Sequence, residues 1–300
     1  MQPEWTLNGK IPVIWVIDDF NTALSAACRE GSGLFDAQGA GRLRQLMEET
    51  CAHLSINFVI VPEYARAGIP SLAELEIPMH DPALKPYHDE LQEWLGQMGD
   101  RVEVTVHGWT HRMQSYSSDV EINPGGWEYT RRSEWLYNPS PVANYRRCID
   151  ALTELGYHPV KHVFSNCGGR MDRNTLRRLR NSEFRVLAKF PTQPEACRAD
   201  YPDVCEMPSY LEDIDAFVFD WGASCQSEPA DFERLFVNGK PIFLVNHGYE
   251  FYAPWFKLAK SYNGLHDFVR EHSNDLVFVR YGAYAKTMHE RVRGERSGAE

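Results

Sequence analysis

Two histidines four positions apart, His107 and His111, are the residues whose type and spacing most directly suggest chemistry. They stand in the stretch VTVHGWTHRM (104–113), directly after a short run of alternating β-branched residues. Such alternation predicts a strand, so the pair follows a strand end. Imidazole nitrogen is a common ligand of divalent metals, but a lone histidine at a strand end is more often only hydrogen-bonded. The pair therefore predicts either a metal site or an ordinary surface turn.

Polar residues also follow the other apolar runs of the sequence. The run IPVIWVID (11–18) ends in two acids, Asp18 and Asp19, and the run PIFLVNHG (241–248) ends with His247. Parallel α/β folds place their active sites at the carboxyl ends of the strands, so these residues are expected to meet there. The further polar residues at predicted strand ends are Ser165, Asn166, Cys167, Arg170, Asp220, Trp221 and Asn246.

This set of residues suits metal-assisted hydrolysis. His107, His111 and one acid of the Asp18–Asp19 pair form a two-histidine, one-carboxylate ligand set that leaves metal positions open for water and substrate. The other acid would stand beside the metal-bound water and take its proton, because the metal lowers the pKa of that water. His247 is the best-placed donor of a proton to the leaving group. The remaining acid, Asp220, would support either His247 or Arg170, and the sequence leaves both open.

The elements that must position these residues alternate along the chain between strand-like and helix-like segments. This alternation predicts an α/β fold with a parallel sheet, either open or closed into a barrel. No repeat or linker interrupts it, so residues 1–300 are predicted to form a single domain with a core of about 11–282. The predicted strands are 11–18, 56–62, 102–108, 160–166, 184–190, 214–221, 241–248 and 275–282, and the predicted helices are 41–54, 87–99, 141–156 and 171–181.

Composition narrows the classes of function. The chain has 300 residues, of which 43% are hydrophobic, and a formal net charge of -11. That charge repels phosphate backbones, so no nucleic-acid partner is expected. The start of the sequence lacks a basic, apolar secretory signal and no stretch is long enough to span a bilayer, which predicts a cytoplasmic protein. The seven cysteines include no CxxC pair, which favours neither a disulfide scaffold nor a zinc knuckle.

The order of these motifs from about residue 11 to residue 250 resembles that of the polysaccharide deacetylases of the NodB-homology group, carbohydrate esterase family four. The matching stretches are VIDDF, HGWTH, NCGGR, FDWG and LVNHG, of which the first two are the most specific. The resemblance implies a distorted (β/α) barrel, usually with about seven parallel strands. It also implies a metal-dependent hydrolase of carbohydrate metabolism that removes acetyl groups from sugars.

Carried over by position, the resemblance assigns a role to each motif residue. Asp19, His107 and His111 would be the protein ligands of a divalent metal, most simply Zn²⁺, with Mn²⁺, Co²⁺, Ni²⁺ or Fe²⁺ as alternatives. Asp18 would be the general base and His247 the general acid. The supporting residues would be Arg170, which orients Asp18 by an ion pair, Asp220, and Trp221, whose indole would form an apolar wall near the acetyl methyl group.

The motifs also depart from the family pattern at several positions. Phe20 follows the two acids where the family has glycine, and Met171 and Asp172 follow Arg170 where it has proline and an aromatic residue. Phe217 stands where the fourth motif carries an earlier acid. These departures weaken the expectation of the usual polymer-binding groove more than they weaken the expectation of a metal site.

A long segment inserted after the histidine pair, residues 112–140, is rich in aromatic residues and is predicted to be a loop. Long loops in compact domains are usually functional or mobile. Trp127 in this segment, Trp109, and Tyr249 close to His247 are candidates for substrate contacts beside Trp221, since aromatic rings stack on sugar faces. Packing of the loop aromatics onto the barrel explains them equally well.

The predicted substrate is an N-acylated sugar, either small or linked to a lipid or nucleotide, as in a cytoplasmic precursor of surface polysaccharide. One alternative is a metal-dependent amidohydrolase acting on a non-sugar amide, since the chemistry of the metal is indifferent to what carries the acyl group. Another is a non-catalytic relative that binds carbohydrate through its aromatic residues. Oligomeric state is not predicted by the sequence.

Overall fold

The computed structural model describes residues 4–20, 37–60, 82–108, 141–163, 165, 182–183, 187–190, 209–211, 216–220, 229–247 and 262–297. Within these ranges it describes the backbone alone at several positions, including Asp19, Asp220 and His247. The strands are β1 (Ile11–Phe20), β2 (Leu54–Val59), β3 (Val102–Gly108), β4 (Leu187–Phe190), β5 (Ser209–Leu211), β6 (Ala216–Asp220), β7 (Ile242–His247) and β8 (Leu276–Phe278). The helices are α1 (Ala37–Thr50), α2 (Lys85–Met98), α3 (Pro141–Glu154), α4 (Pro229–Phe236), α5 (Tyr262–Glu271) and α6 (Tyr281–Ser297), with 3₁₀ turns at Pro82–Leu84 and Gly99–Arg101.

Parallel pairing dominates the sheet structure. The larger sheet has the strand order β3-β2-β1-β7, and β8 pairs with the amino-terminal end of β1. All of these pairs are parallel. In the second sheet β6 pairs in parallel with β4 and antiparallel with β5. Helices separate most of the parallel strands along the chain, and the predicted α/β class with a mainly parallel sheet is confirmed.

Two sets of side chains alternate along β1. Ile14 and Val16 belong to a buried cluster with residues of β7 and of α6, among them Val245 and Tyr284. The residues between them, such as Trp15, are buried on the opposite face. Burial on both faces explains why this stretch reads as a continuous apolar run, because helices cover the outer face of a parallel sheet.

The last helix closes the amino-terminal end of the core. Along α6, Tyr284, Ala285, Met288 and Val292 join the cluster around Ile14, and the Tyr284 hydroxyl donates a hydrogen bond to the Trp5 carbonyl at 2.7 Å. Trp5 in turn packs edge-on against Phe217 of β6, with ring centroids 6.0 Å apart. The termini of the described chain are thus tied to the sheet. None of the helices in the described ranges combines the length and apolarity that a bilayer crossing requires.

Several predicted elements differ from the observed ones. Residues 160–163 and 165 are not in a strand, although the Val160 amide donates a hydrogen bond to the Val104 carbonyl at 2.8 Å. The predicted strand 275–282 stops early, because Tyr281 begins α6. Three predicted helices are present within four residues of their predicted ends, while the fourth, 171–181, and the loop 112–140 lie outside the described residues.

Candidate functional site

Asp18 of β1 and His107 of β3 lie side by side at the carboxyl ends of their strands. The His107 Nδ1 atom is 3.8 Å from the Asp18 Oδ1 atom. Both residues are buried, with 2% and 1% of their surface exposed. Since β2 lies between β1 and β3, the two side chains meet above it. The sequence prediction that the first and third strands bring an acid and a histidine together agrees with this geometry.

Strand register brings a third predicted residue to the same level of the sheet. Asp18 is the Cα partner of His247, the last residue of β7. The four strands β3, β2, β1 and β7 therefore end together, and their final residues share one edge of the sheet. This edge, from β3 to β7, is the candidate site.

Asn57 of β2 holds the Asp18 carboxylate from below. Its Nδ2 atom donates one hydrogen bond to Asp18 Oδ1 and another to Ser165 Oγ, both at 2.7 Å. Its Oδ1 atom accepts a hydrogen bond from the Thr105 hydroxyl. These contacts fix which way the amide faces, because the reverse orientation would set its oxygen against a carboxylate. Asn57 is not among the predicted site residues.

A tyrosine connects this group back to the strand that carries His107. The Ser165 amide donates a hydrogen bond to the Tyr145 hydroxyl at 2.9 Å, and that hydroxyl donates to the Val106 carbonyl. The Ser165 side chain also contacts Tyr281, whose pKa is raised well above its ordinary value by burial and by the neighbouring Tyr145 and Asp18. Tyr281 is therefore a neutral phenol at physiological pH. The site is supported by a continuous buried polar network.

A second buried acid lies at the opposite end of the same strands. Glu103 of β3 accepts hydrogen bonds from the Ser55 hydroxyl at 2.7 Å and from the Gly282 amide at 2.5 Å. Burial raises the pKa of Glu103, and these hydrogen bonds only partly oppose that effect. Glu103 and His107 are four residues apart, which is about 13 Å along a strand. Glu103 therefore caps the start of α6 and takes no part in the candidate site.

A cavity of about 850 Å³ opens at that amino-terminal end, beside Glu103, His158 and Gly282. Because active sites of parallel α/β folds lie at the carboxyl ends of the strands, this cavity is on the wrong side for the chemistry of Asp18 and His107. We therefore locate the candidate site by its side chains and not by cavity size.

The described part of the candidate site suits a divalent metal. A carboxylate oxygen and an imidazole nitrogen are both zinc ligands, and two such atoms bound to one ion would be about 3.3 Å apart. The observed separation between Asp18 Oδ1 and His107 Nδ1 is 3.8 Å, too long for a hydrogen bond but close to that value. Either Asp18 is itself a ligand, or it lies immediately beside a ligand, as a base would.

The other predicted residues are described only in part. Asp19 is the penultimate residue of β1, and Asp220 is the last residue of β6. The side chains of both, like that of His247, are not described. The remaining predicted site residues lie outside the described residues: Trp109, His111, Trp127, Arg170, Trp221 and Tyr249.

Another group of side chains of the metal-binding type lies on the surface. Glu233 of α4 and Glu271 and His272, at and just after the end of α5, place ligand atoms within 4.8 Å of one another. The His272 Nε2 atom is 2.9 Å from Glu233 Oε1, and its ring packs on Phe236. The contact between His272 and Glu233 explains this group without a metal, but any metal measurement on the protein must account for it.

A signal for the missed residues is present in the sequence. In LSINFV and VEVTVHG, polar residues occupy every second position, which in a strand places them all on one face. Since both strands are buried, that face must hydrogen-bond within the protein. The residues concerned are Ser55, Asn57, Glu103, Thr105 and His107.

The fold can now be compared with that of known proteins. No family model and no curated protein sequence matches the chain. Two solved structures of proteins assigned as polysaccharide deacetylases do: one from Mycobacterium smegmatis at TM-score 0.51 and 16% identity, and one from Pseudomonas aeruginosa PAO1 at TM-score 0.50 and 13% identity. Each match covers 97% of this chain and 94% of the other.

The chain has a polysaccharide deacetylase fold. The structure of PuuE allantoinase matches equally well, at TM-score 0.51 and 14% identity, again over 97% of this chain and 94% of that one. At such identities the likeness shows the shared fold alone. The chemistry must be argued from the residues at the candidate site.

Proposed function

We propose that the protein is a metal-dependent hydrolase that cleaves an acyl amide, and that its substrate is an N-acylated sugar. The observation that carries the proposal is the contact between Asp18 and His107, buried at the carboxyl ends of parallel strands in a fold of this kind. Polysaccharide deacetylases with this fold hydrolyse an amide, which supports the same reaction class for this chain.

Within this proposal, His107 would hold the metal together with Asp19 and His111. A bound zinc ion would supply Lewis-acid polarisation of the amide carbonyl and would acidify a water molecule. Asp18 takes the proton from the attacking water, and its position beside His107 suits that role. His247, level with Asp18 across β1 and β7, gives a proton to the leaving nitrogen. The products are a carboxylate, acetate in the simplest case, and a free amine.

The supporting roles stay predictions: those of Arg170 and Trp221 follow from the resemblance, and the others from the sequence itself. Arg170 would orient Asp18, and Asp220 would support Arg170 or His247. Trp109, Trp127, Trp221 and Tyr249 would line the pocket for the sugar and its acyl group. The cytoplasmic location predicted from the sequence also stays a prediction.

The first test is metal content, measured by mass spectrometry on protein reconstituted with zinc and then desalted. Wild type is expected to retain zinc at the site, and His107→Ala is expected to lose it. His88→Ala is the matched control, because His88 is also a buried histidine but bonds to Tyr157 on another part of the fold. All proteins should carry His272→Ala, which removes the surface group as a source of bound zinc. If the protein that carries His272→Ala alone retains no zinc, the proposed metal site is refuted.

The second test is catalysis. Asp18→Asn should keep its zinc and lose about 10² to 10⁴-fold in kcat, because removing a general base costs about that much. Release of acetate from a panel of N-acetylated sugars measures the reaction. If Asp18→Asn is as active as wild type, Asp18 is not the base. If metal-loaded wild type binds these sugars without hydrolysing any of them, the protein is a carbohydrate-binding relative.

A second candidate function is hydrolysis of a cyclic, non-sugar amide. The equal fold similarity to PuuE allantoinase favours including it. Opening of a ring amide consumes water without releasing acetate, so the two functions separate in one assay series. Ring opening of allantoin by wild type, without acetate release from any sugar tested, would replace the first candidate by the second.

A further inference from the structure

We infer that Asn57 is a positioning residue that sets the orientation of the Asp18 carboxylate toward His107. The inference rests on the proposed function only in naming Asp18 as the base, since the contacts themselves are independent of the reaction. Asn57 is fully buried and lies on β2, between the strands that carry Asp18 and His107.

The orientation of an aspartate carboxylate is set by its surroundings. Rotation about its terminal bond has broad, shallow minima, so a nearby donor decides which way the oxygens face. The Asn57 amide supplies that donor at 2.7 Å from Asp18 Oδ1, the same oxygen that lies 3.8 Å from His107 Nδ1. This hydrogen bond therefore acts on the carboxylate oxygen that faces the imidazole.

Asn57 can do this because two further hydrogen bonds fix its own amide. The Thr105 hydroxyl donates to its oxygen, and its second N–H group bonds to Ser165 Oγ. Thr105 is two residues before His107 on β3, and the Ser165 amide is bonded to the hydroxyl of Tyr145. Asn57 thus connects the Asp18 carboxylate to β3, the strand that carries His107.

The chain provides a matched control two residues away. Ser55 lies on the same face of β2, is also fully buried, and also donates a hydrogen bond to a carboxylate, that of Glu103. Because Glu103 lies at the amino-terminal end of the strands, loss of the Ser55 hydroxyl should affect stability but not catalysis. A purely structural role for Asn57 would make the two positions behave alike.

The experiment compares Asn57→Ala, Ser55→Ala, Thr105→Val and Thr105→Ser in the zinc-loaded enzyme. Asn57→Ala should lower kcat by about 10²-fold with KM and zinc stoichiometry unchanged, since an error of about 1 Å in the position of a catalytic group costs that much. Thr105→Val should lower kcat less, and Thr105→Ser, which retains the hydroxyl, should restore it. Ser55→Ala should retain wild-type kcat.

Two results overturn the inference. One is wild-type kcat in Asn57→Ala; the other is loss of zinc in that variant, which would mean that Asn57 retains the metal and does not orient the base. A crystal structure of zinc-loaded Asn57→Ala supplies a readout that needs no activity: the Asp18 carboxylate should rotate away from its position beside His107. If wild type hydrolyses no amide, the proposed function fails, but this structure still decides the inference, and an unmoved Asp18 refutes it.

Discussion

Replacing Gly282 by alanine tests how tightly the start of α6 is joined to the sheet. A Cβ atom at this position would lie 2.7 Å from Val160 Cγ1 and 3.1 Å from Glu103 Oε2. Carbon atoms in good contact are about 3.5 to 4.0 Å apart, so Val160 would have to retreat by about 1 Å. Its backbone resists this shift, because the Val160 amide is hydrogen-bonded to the Val104 carbonyl at 2.8 Å.

The expected free-energy change follows from two opposing effects. Overpacking a core costs about 1 to 3 kcal/mol, whereas alanine in place of glycine in a helix gains up to about 1 kcal/mol. With the full gain subtracted, Gly282→Ala should therefore lose up to about 2 kcal/mol of unfolding free energy. Gly294→Ala on the same helix is the control, since none of the described residues outside the helix backbone comes within 4 Å of its Cβ position. It should gain about 0.5 to 1 kcal/mol.

Urea unfolding of the two variants beside wild type measures both changes, provided that the slope of the free energy against urea stays constant. The two variants are expected to move the midpoint in opposite directions. If Gly282→Ala is as stable as Gly294→Ala, Val160 gives way at no cost, and the close packing of α6 on the sheet does not constrain this position.

Three further predictions concern polar side chains: the Tyr145 hydroxyl, the Glu103 carboxyl and the His53 imidazole. Tyr145→Phe removes the hydroxyl that bonds to Ser165 and Val106, and should cost about 1 to 3 kcal/mol in urea unfolding, because buried polar groups lose their partner; an unchanged midpoint would contradict this. Burial raises the pKa of Glu103. The stability of wild type relative to Glu103→Gln should therefore be highest at low pH and fall as pH rises above the ordinary carboxyl range. A difference that does not change with pH would refute the raised pKa of Glu103. Burial and the nearby Arg101 lower the pKa of His53. The stability of wild type relative to His53→Gln should therefore hold at neutral pH and fall as pH drops below about 6.5, the ordinary histidine pKa. Equal pH profiles of the two proteins would show that folding does not lower the pKa of His53.

Patterns within single strands predicted the central part of the fold and site. The runs predicted as strands at β1, β2, β3 and β7 are all strands, and β1, β3 and β7 end where the predicted polar residues Asp18, His107 and His247 stand. Asp18 and His107 are predictable because each is the polar end of such a run, and parallel strands bring their carboxyl ends to one edge. The alternation of side chains along each strand then indicates which of its residues share a face.

The missed features depend on contacts between distant residues. Asn57 and Ser165 are separated by 108 positions, so no local pattern connects their side chains. The strand predicted over 275–282 fails because its second half continues as α6, whose buried face follows from packing on the sheet. The strand β5 has only three residues, too few to show a period.

Burial of an acid does not by itself identify the functional one of the two found here. Asp18 and Glu103 are both buried, and each accepts a hydrogen bond from a residue of β2, Asn57 in one case and Ser55 in the other. Glu103 also accepts hydrogen bonds from the Gly282 and Ala283 amides in the first turn of α6, and these bonds join that helix to the sheet. Asp18 instead faces an imidazole, in a network of side chains that orient one another. The neighbours of each carboxylate, rather than its burial, therefore support a structural role for Glu103 and the proposed catalytic role for Asp18.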